Sequence, residues 1–369
     1  MSTLARFTAA LFLASTLYAC SGTTTTTVPA TVGQSAPVGS SGSHVRKNTS
    51  GGETNQYVYG GCGVFPAGDI FNHDVTGYQH DRETEQMFAK APQGNFAYWD
   101  DQGSEQVNIT QSSGAGWYTV QTVPGGHNPP LDNSSTLPWN NGMFIETGDA
   151  HAIVLLNDTC QEYEAYGSAW TATAGPFAAY SGRLNTLSAT WASQLTPGGT
   201  SVTQAGVPLL PTTYWGEDAS GNPINHMGSI LLVAGYCLSQ YGYAFPATAP
   251  SFVPDTQGCT HPIHMGDLFK LRNRFDCTPY QAPVAALCAS MKRYPLVVDD
   301  GLSVDSNEPY AIRFGLASNG SKMWPYSGTG GLQQFLTALQ PSSKILVHVE
   351  PPGYAIQCLS GHTYGVDCW

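Results

Sequence analysis

Between residues 143 and 350 the chain returns again and again to one short pattern: "MFIETGDAHAIVLL", "CQEYEAY", "GSILLVAGYCL", "YGYAF", "GDLFKLRNRF", "YPLVVDD", "YAIRFGL" and "KILVHVE". Each run is brief, rich in β-branched and aromatic side chains, and closed by Gly, Pro, Asn or Asp, the punctuation of strands joined by turns. With 41 Gly and 25 Pro in the chain, long helices have little room. Gly loses backbone entropy in a helix, and Pro lacks the amide hydrogen a helix interior needs. The pattern predicts a β-rich domain, an antiparallel sandwich of jelly-roll type with long loops and two or three short helices. The helical candidates are 280–294, with Lys292 and Arg293 in its last turn, 330–341, which ends against a proline, and the weaker 187–195.

The N-terminus reads "MSTLARFTAALFLASTLYACSG". One Arg, an apolar run too short to cross a bilayer and a small residue before Cys20 predict a signal peptide over 1–19. The ending "LYAC" resembles the lipobox of bacterial lipoproteins. That implies a lipidated Cys20, an outer-membrane or cell-surface location, and membrane attachment through this anchor alone; cleavage near Ala19 without lipidation gives a secreted protein instead. Residues 20–56 contain no aromatic side chain and predict a Ser/Thr/Gly-rich disordered tether. Residues 57–369 then form a single globular domain, since no second linker or internal repeat interrupts them. Setting Cys20 aside, eight cysteines remain: Cys62, Cys160, Cys237, Cys259, Cys277, Cys288, Cys358 and Cys368. An even number without any CxxC pair points to disulfides in an oxidising compartment. Pairing Cys277 with Cys288 and Cys358 with Cys368 closes the shortest loops.

The net charge is −12, and no basic cluster is longer than "MKRY", which argues against nucleic acid as a partner. Ser, Thr, Asn, Gln and Gly, with 19 Tyr and 8 Trp among them, suit a polysaccharide: aromatic faces stack on sugar rings and amides bond their hydroxyls. No GxSxG, HExxH, P-loop or GxGxxG stands in a credible setting, so serine-hydrolase, zincin and nucleotide chemistry recede. The sequence requires no cofactor and leaves a metal open.

In a chain where only 11% of residues are charged, "FIETGDAHAIVLLNDTCQEYEAY" (144–166) gathers Glu146, Asp149, His151, Glu162 and Glu164. Alternation from Asp149 puts Asp149, His151, Ile153 and Leu155 on one face of a strand. A two- or four-residue turn at "NDT" brings Glu162, Glu164 and Tyr166 to that face, whereas a three-residue turn sends them to the other. The shared-face register offers two carboxyls and an imidazole to one groove, the set that glycoside cleavage needs. Glu146, Asp149 and Glu164 are the acid and base candidates, with His151 tuning them. A second histidine, His226, opens the strand "INHMGSILL" as His151 opens its own, and is a candidate to converge with it. "CTHPIHMGD" sets His261, His264 and Asp267 at intervals of three but contains Pro262 and Gly266, so it reads as a loop leading into a strand rather than a metal-binding helix face. "VVDDGLSVDSNE" (297–308) lacks the residue order of a calcium loop.

The favoured reading is an exported glycoside hydrolase acting on polysaccharide. One alternative is a polysaccharide lyase, with His151 or His226 and Tyr163 or Tyr166 as base and acid and Arg272, Arg274 or Arg313 neutralising a uronate. Another is a non-catalytic glycan-binding or adhesin-like surface protein. Asn108-Ile-Thr and Asn133-Ser-Ser are glycosylation sequons.

The stretches "CGVFPAGDIFNHDV", "GDAHAIVLLNDTCQEYE", "TSVTQAGVPLLP", "INHMGSILL", "HMGDLFKLRNRFD" and "RYPLVVDDG", in that order, resemble the landmarks of a group of secreted bacterial proteins without assigned activity. The resemblance covers most of residues 62–301 and implies a secreted single domain. The third landmark of that group usually carries an acid where this chain has Val202-Thr203-Gln204, which removes any acid the group uses there.

Overall fold

A computed structural model describes residues 56–78, 81–90, 94, 96–99, 105–122, 136–170, 177–179, 181–195, 202–233, 237–253, 258–302, 309–339 and 345–361. The signal sequence, Cys20, the tether and Asn133 lie outside the described residues. Two sheets position the site. Their strands are β1 (Phe96–Trp99), β2 (Val107–Thr110), β3 (Ala152–Leu156), β4 (Gln161–Tyr166) and β5 (Ser181–Thr186), followed by β6 (Gly228–Val233), β7 (Leu268–Leu271), β8 (Leu296–Leu302), β9 (Tyr310–Arg313) and β10 (Leu346–Val349). A four-stranded sheet runs in the order β5-β4-β3-β2, and a six-stranded sheet in the order β10-β7-β8-β6-β9-β1.

The β-rich expectation holds, but the sheets are mixed rather than antiparallel throughout. β2 pairs with β3, β6 with β8 and β9 with β1 in parallel. Sequence periodicity reports which face a residue takes, and it is blind to the direction of the neighbouring strand. Three α-helices are described. α1 (Asp81–Met87) was not signalled by the sequence. α2 (Ala282–Arg293) starts with Pro283 in its first turn and ends with Lys292 and Arg293, and α3 is Leu332–Ala338. The weak candidate over 187–195 forms only a single 3-10 turn, Trp191–Ser193. None of the described helices is long and apolar enough to cross a membrane.

β3 is buried on both faces. Ile153 and Leu155 join the main core with Ile230, Leu268, Val298 and Ile312 of the larger sheet, while Ala152, Val154 and Leu156 pack with Leu137, Trp139 and Tyr163 in a second cluster. The four-stranded sheet is therefore sandwiched by apolar side chains, and any polar group it carries must find its partners inside the protein. Asn108 shows this on β2. Its amide donates to the carbonyls of Phe144 and Ile153, each at 2.9 Å, and accepts from the Phe144 amide at 2.6 Å. The sequon there is committed to tying the approach to β3, because the side chain that would carry a glycan is buried.

Disulfides link Cys62 to Cys160, Cys237 to Cys259 and Cys277 to Cys288. Cys358 is also disulfide-bonded. The Cys62–Cys160 bridge spans 98 residues and fastens the β3–β4 turn to the N-terminal strand at Cys62–Gly63. Closing a loop of that length stabilises the fold by about 4–5 kcal/mol through the entropy of the unfolded chain. Such bonds indicate an extracellular or periplasmic environment.

Candidate active site

The parallel register of β2 and β3 sets Val107 opposite Ile153. Two residues before each stand Glu105 and His151, so the same alternation brings both side chains to one face. The His151 Nδ1 lies 3.8 Å from Glu105 Oε1. The segment leading into β3 folds back on itself around Glu146. One carboxylate oxygen accepts from the amides of Gly148 (3.0 Å) and Asp149 (3.2 Å); the other accepts from the His151 amide (3.2 Å) and lies 2.8 Å from its Nδ1. A Cβ at Gly148 would stand 2.5 Å from Glu146 Oε1, so the turn needs glycine there. Ala150 takes a left-handed φ of 59°, the strained step that turns the chain into the strand.

The other His151 nitrogen, Nε2, faces the Val202 carbonyl at 3.3 Å. Both ring nitrogens thus face acceptors only, and the ring satisfies them best as an imidazolium. Burial by itself would lower its pKa, but the hydrogen bond to Glu146 and the charge of Glu105 outweigh burial and the Arg313 charge, and the net shift is upward. Glu146 moves the opposite way. Burial would raise it, and the bonds from His151 and from the turn amides hold it below the usual carboxylate range.

The opposite wall comes from the six-stranded sheet. Between Ile230 and Leu231 the β6–β8 register shifts: Val298 pairs with Ile230 and Asp300 with Leu231, leaving Asp299 as the extra residue of a bulge. Adjacent residues of a regular strand point to opposite faces, and the bulge relieves Asp299 and Asp300 of that rule. Both reach Arg313 Nη2, at 3.7 and 3.2 Å, while Nη1 bonds Glu105 Oε1 at 2.7 Å. Ser229, one strand over, donates to Asp299 at 2.5 Å. Burial would lower the Arg313 pKa, but Asp299, Glu105 and Asp300 push it up and keep the guanidinium charged. Burial pushes Asp299 up to about 7 against the pull of Arg313, and raises Asp300 in the same way.

Glu105 therefore joins two sheets. It precedes β2 of one, bonds the terminal Arg313 of β9 in the other, and stands beside His151. The resulting chain of charges runs Glu146, His151, Glu105, Arg313, Asp300 and Asp299. Its inner members are sealed: Glu105, Arg313, His151 and Asp299 are all buried. Its outer members meet solvent. The Asp300 and Glu146 side chains are 23% and 13% exposed, and Asp149 is open at the rim, near enough for its charge to raise Asp300 further. Val202 to Leu210 closes one side, with the Val202 carbonyl on His151 and the Ala205 amide on the Asp299 carbonyl at 2.9 Å.

Of the residues singled out in the sequence, Glu146, Asp149 and His151 come together here, and Tyr166 lies 5.5 Å from the His151 ring. The β3–β4 turn is Asn157–Cys160, four residues, and sets Ile153 opposite Glu164 and Leu155 opposite Glu162. This is the shared-face register, yet that face lies on the core and forms no groove. Glu164 and Glu162 are wholly buried. Glu164 accepts from the amides of Leu209 (2.5 Å) and Leu210 (3.3 Å), and Glu162 accepts from Asn185 at 2.8 Å. Burial, with the Glu164 charge beside it, drives the Glu162 pKa well above its ordinary value. Glu164 is thus a fastener of the 202–210 segment, closed to substrate.

His226 is also wholly enclosed. It lies between the carbonyls of Met227 (2.7 Å) and Pro211 (3.2 Å) and the Asp218 carboxylate (3.3 Å), stacked on Tyr57 with ring centroids 3.9 Å apart. Among the described residues it shares no partner with His151, and the two histidines do not converge. Tyr163 faces the second cluster, against Trp117. Arg313 is buried with its Nη atoms held by three carboxylates, out of reach of a uronate. His264 and Asp267 meet His348 and the Tyr354 hydroxyl in a separate buried cluster; the two histidines hold Asp267 far below its ordinary range in spite of burial. Among the described residues no group of three His, Cys, Asp or Glu could hold a metal ion.

Sequence reasoning passed over Glu105 and treated Asp299-Asp300 as a poor calcium loop. The usable signal was the pair itself: two adjacent acids inside the apolar strand "YPLVVDDGL" are too costly to bury without a cation. Glu105 carried no local signal. The network is an acid–imidazole–guanidinium relay at a sheet junction of a disulfide-bonded β-rich protein. Comparison with protein-family models, with curated proteins and with solved structures found no match.

Proposed function

We propose that this exported protein cleaves glycosidic bonds of a polysaccharide, with Asp300 as proton donor and Glu146 as the ionised partner. The observation that carries this reading is the opposite displacement of two solvent-reaching carboxyls on one network: Asp300 is pushed up and Glu146 is held down. A carboxyl displaced toward its protonated form on the same network as a carboxylate held ionised is the kind of pairing glycoside cleavage uses. His151 and Arg313 are positioning residues: the first keeps Glu146 ionised, and the second aims Asp300. The lyase alternative keeps His151 and Tyr166 but loses two of its candidates, since His226 is enclosed and Arg313 is held by carboxylates. Glycan binding without turnover remains the rival from another class.

The test is release of new reducing ends from a panel of neutral, amine-bearing and uronic polysaccharides by the protein with its disulfides intact. Asp300→Asn and Glu146→Gln should each lower turnover by at least ~100-fold while the variants melt as cooperatively as the parent. Undiminished turnover in both would remove the assignment, and binding without turnover of any substrate would favour the binder. A lipid on Cys20 and a place on the cell surface belong to the same proposal, supported by the "LYAC" ending. Cys20→Ser should move the protein from the membrane fraction to the soluble exported fraction.

A further inference from the structure

Resting on the glycosidase reading, we infer that Glu164 is a positioning residue for the site: through the span 202–214 it sets His151, Asp299 and Arg313 relative to one another. Residues 202–210 form neither helix nor strand, yet all except Gln204 are buried. Buried backbone outside a ladder has to find its hydrogen bonds elsewhere, and several of those made by this span lead to the network. The Val202 carbonyl faces His151 Nε2 at 3.3 Å, the Ala205 amide donates to the Asp299 carbonyl at 2.9 Å, and the Tyr214 amide donates to the Arg313 carbonyl at 3.2 Å. One stretch of chain thus touches both walls of the site, His151 on the first and Asp299 and Arg313 on the second. Between the Ala205 and Tyr214 contacts, Glu164 Oε1 accepts from the Leu209 and Leu210 amides at 2.5 and 3.3 Å. Glu164 itself is wholly buried on β4, opposite Ile153, so the sheet that carries His151 also fixes the anchor. The Thr203 hydroxyl braces the span from within, donating to the Val207 carbonyl at 2.8 Å.

The test compares the disulfide-intact protein with three variants. Glu164→Gln keeps the shape of the anchor but accepts the two amides more weakly. Thr203→Val loosens the span without touching Glu164. Val284→Ala thins the core at α2, which packs on β7 and carries no residue of the network. Imidazole NMR follows His151, its signal assigned by its loss in His151→Gln, while reducing ends give kcat and KM. Glu164→Gln and Thr203→Val should both shift the His151 ring signals and move its titration midpoint down, because the imidazolium loses the Val202 acceptor. Val284→Ala should leave them in place. In Glu164→Gln, kcat should fall roughly 10-fold to 100-fold with KM changed less than about 2-fold, the signature of a displaced catalytic group. His151 signals unmoved in both Glu164→Gln and Thr203→Val, or moved equally by Val284→Ala, overturn the inference. Undiminished kcat in Glu164→Gln, where the parent turns over, sinks this inference alone. A parent that releases no reducing ends sinks the glycosidase reading, and the His151 signals then decide by themselves whether Glu164 positions the network.

Discussion

Replacing Asp299 by Asn isolates the most perturbed acid of the relay. The carboxyl is wholly buried, accepts from Ser229 and lies 3.7 Å from Arg313, and its pKa rises from 3.8 to about 7. A group whose folded pKa is raised binds its proton more tightly in the folded state. Its stabilisation is complete below the unfolded value near 3.8 and is lost as pH rises through about 7. At about 1.4 kcal/mol per pH unit, the stretch from pH 5 to pH 8 removes about 2.5 kcal/mol, and the whole displacement amounts to about 4 kcal/mol. Asn keeps the shape and the acceptor for Ser229 but cannot ionise. Relative to the parent, Asp299→Asn should be near neutral or slightly destabilising at pH 5 and gain about 2–3 kcal/mol by pH 8. Urea denaturation at both pH values, with disulfides intact, measures this; His151 titrates in both proteins and drops out of the difference. Parallel stability profiles would show that Asp299 is ionised throughout, and the burial-raised pKa assigned to it would fail.

Arg313→Met should cost about 3–5 kcal/mol at pH 7 in the same assay, because it removes the guanidinium that binds Glu105, Asp299 and Asp300; a loss below ~1 kcal/mol would mean that water reaches the network. Glu162→Gln should be near neutral, since burial and the Glu164 charge favour the neutral form of Glu162, whereas Glu164→Gln should destabilise by about 1–3 kcal/mol by weakening the hold on the Leu209 and Leu210 amides. Reversed magnitudes would reverse the protonation assigned to the pair. Paired Cys62→Ser and Cys160→Ser changes should cost about 4 kcal/mol, read from the denaturation midpoint.

Much of the candidate site's first wall was legible in "ETGDAH". Its turn is local: Glu146 bonds amides two, three and five residues away, and alternation settles the facing of His151. The same alternation misled at Glu162 and Glu164. It correctly gave their shared face with Ile153 and Leu155, but solvent access depends on what packs there, and the main core does. His226 failed for the same reason, enclosed by Tyr57, Tyr214 and the Pro211 carbonyl, none of them its neighbours in sequence.

By itself, the sequence determined the strand-rich character and the position of α2, and it favoured the short-loop Cys277–Cys288 pairing that the structure contains. All of these arise from interactions among residues close along the chain. Tertiary structure alone decided the parallel pairing that sets Glu105 beside His151, the bulge that turns two adjacent acids toward one guanidinium, and the contact of Glu105 with Arg313, 208 residues away. A carboxylate's chemistry is set by burial and by the charges around it, and in this fold both come from strands distant in sequence.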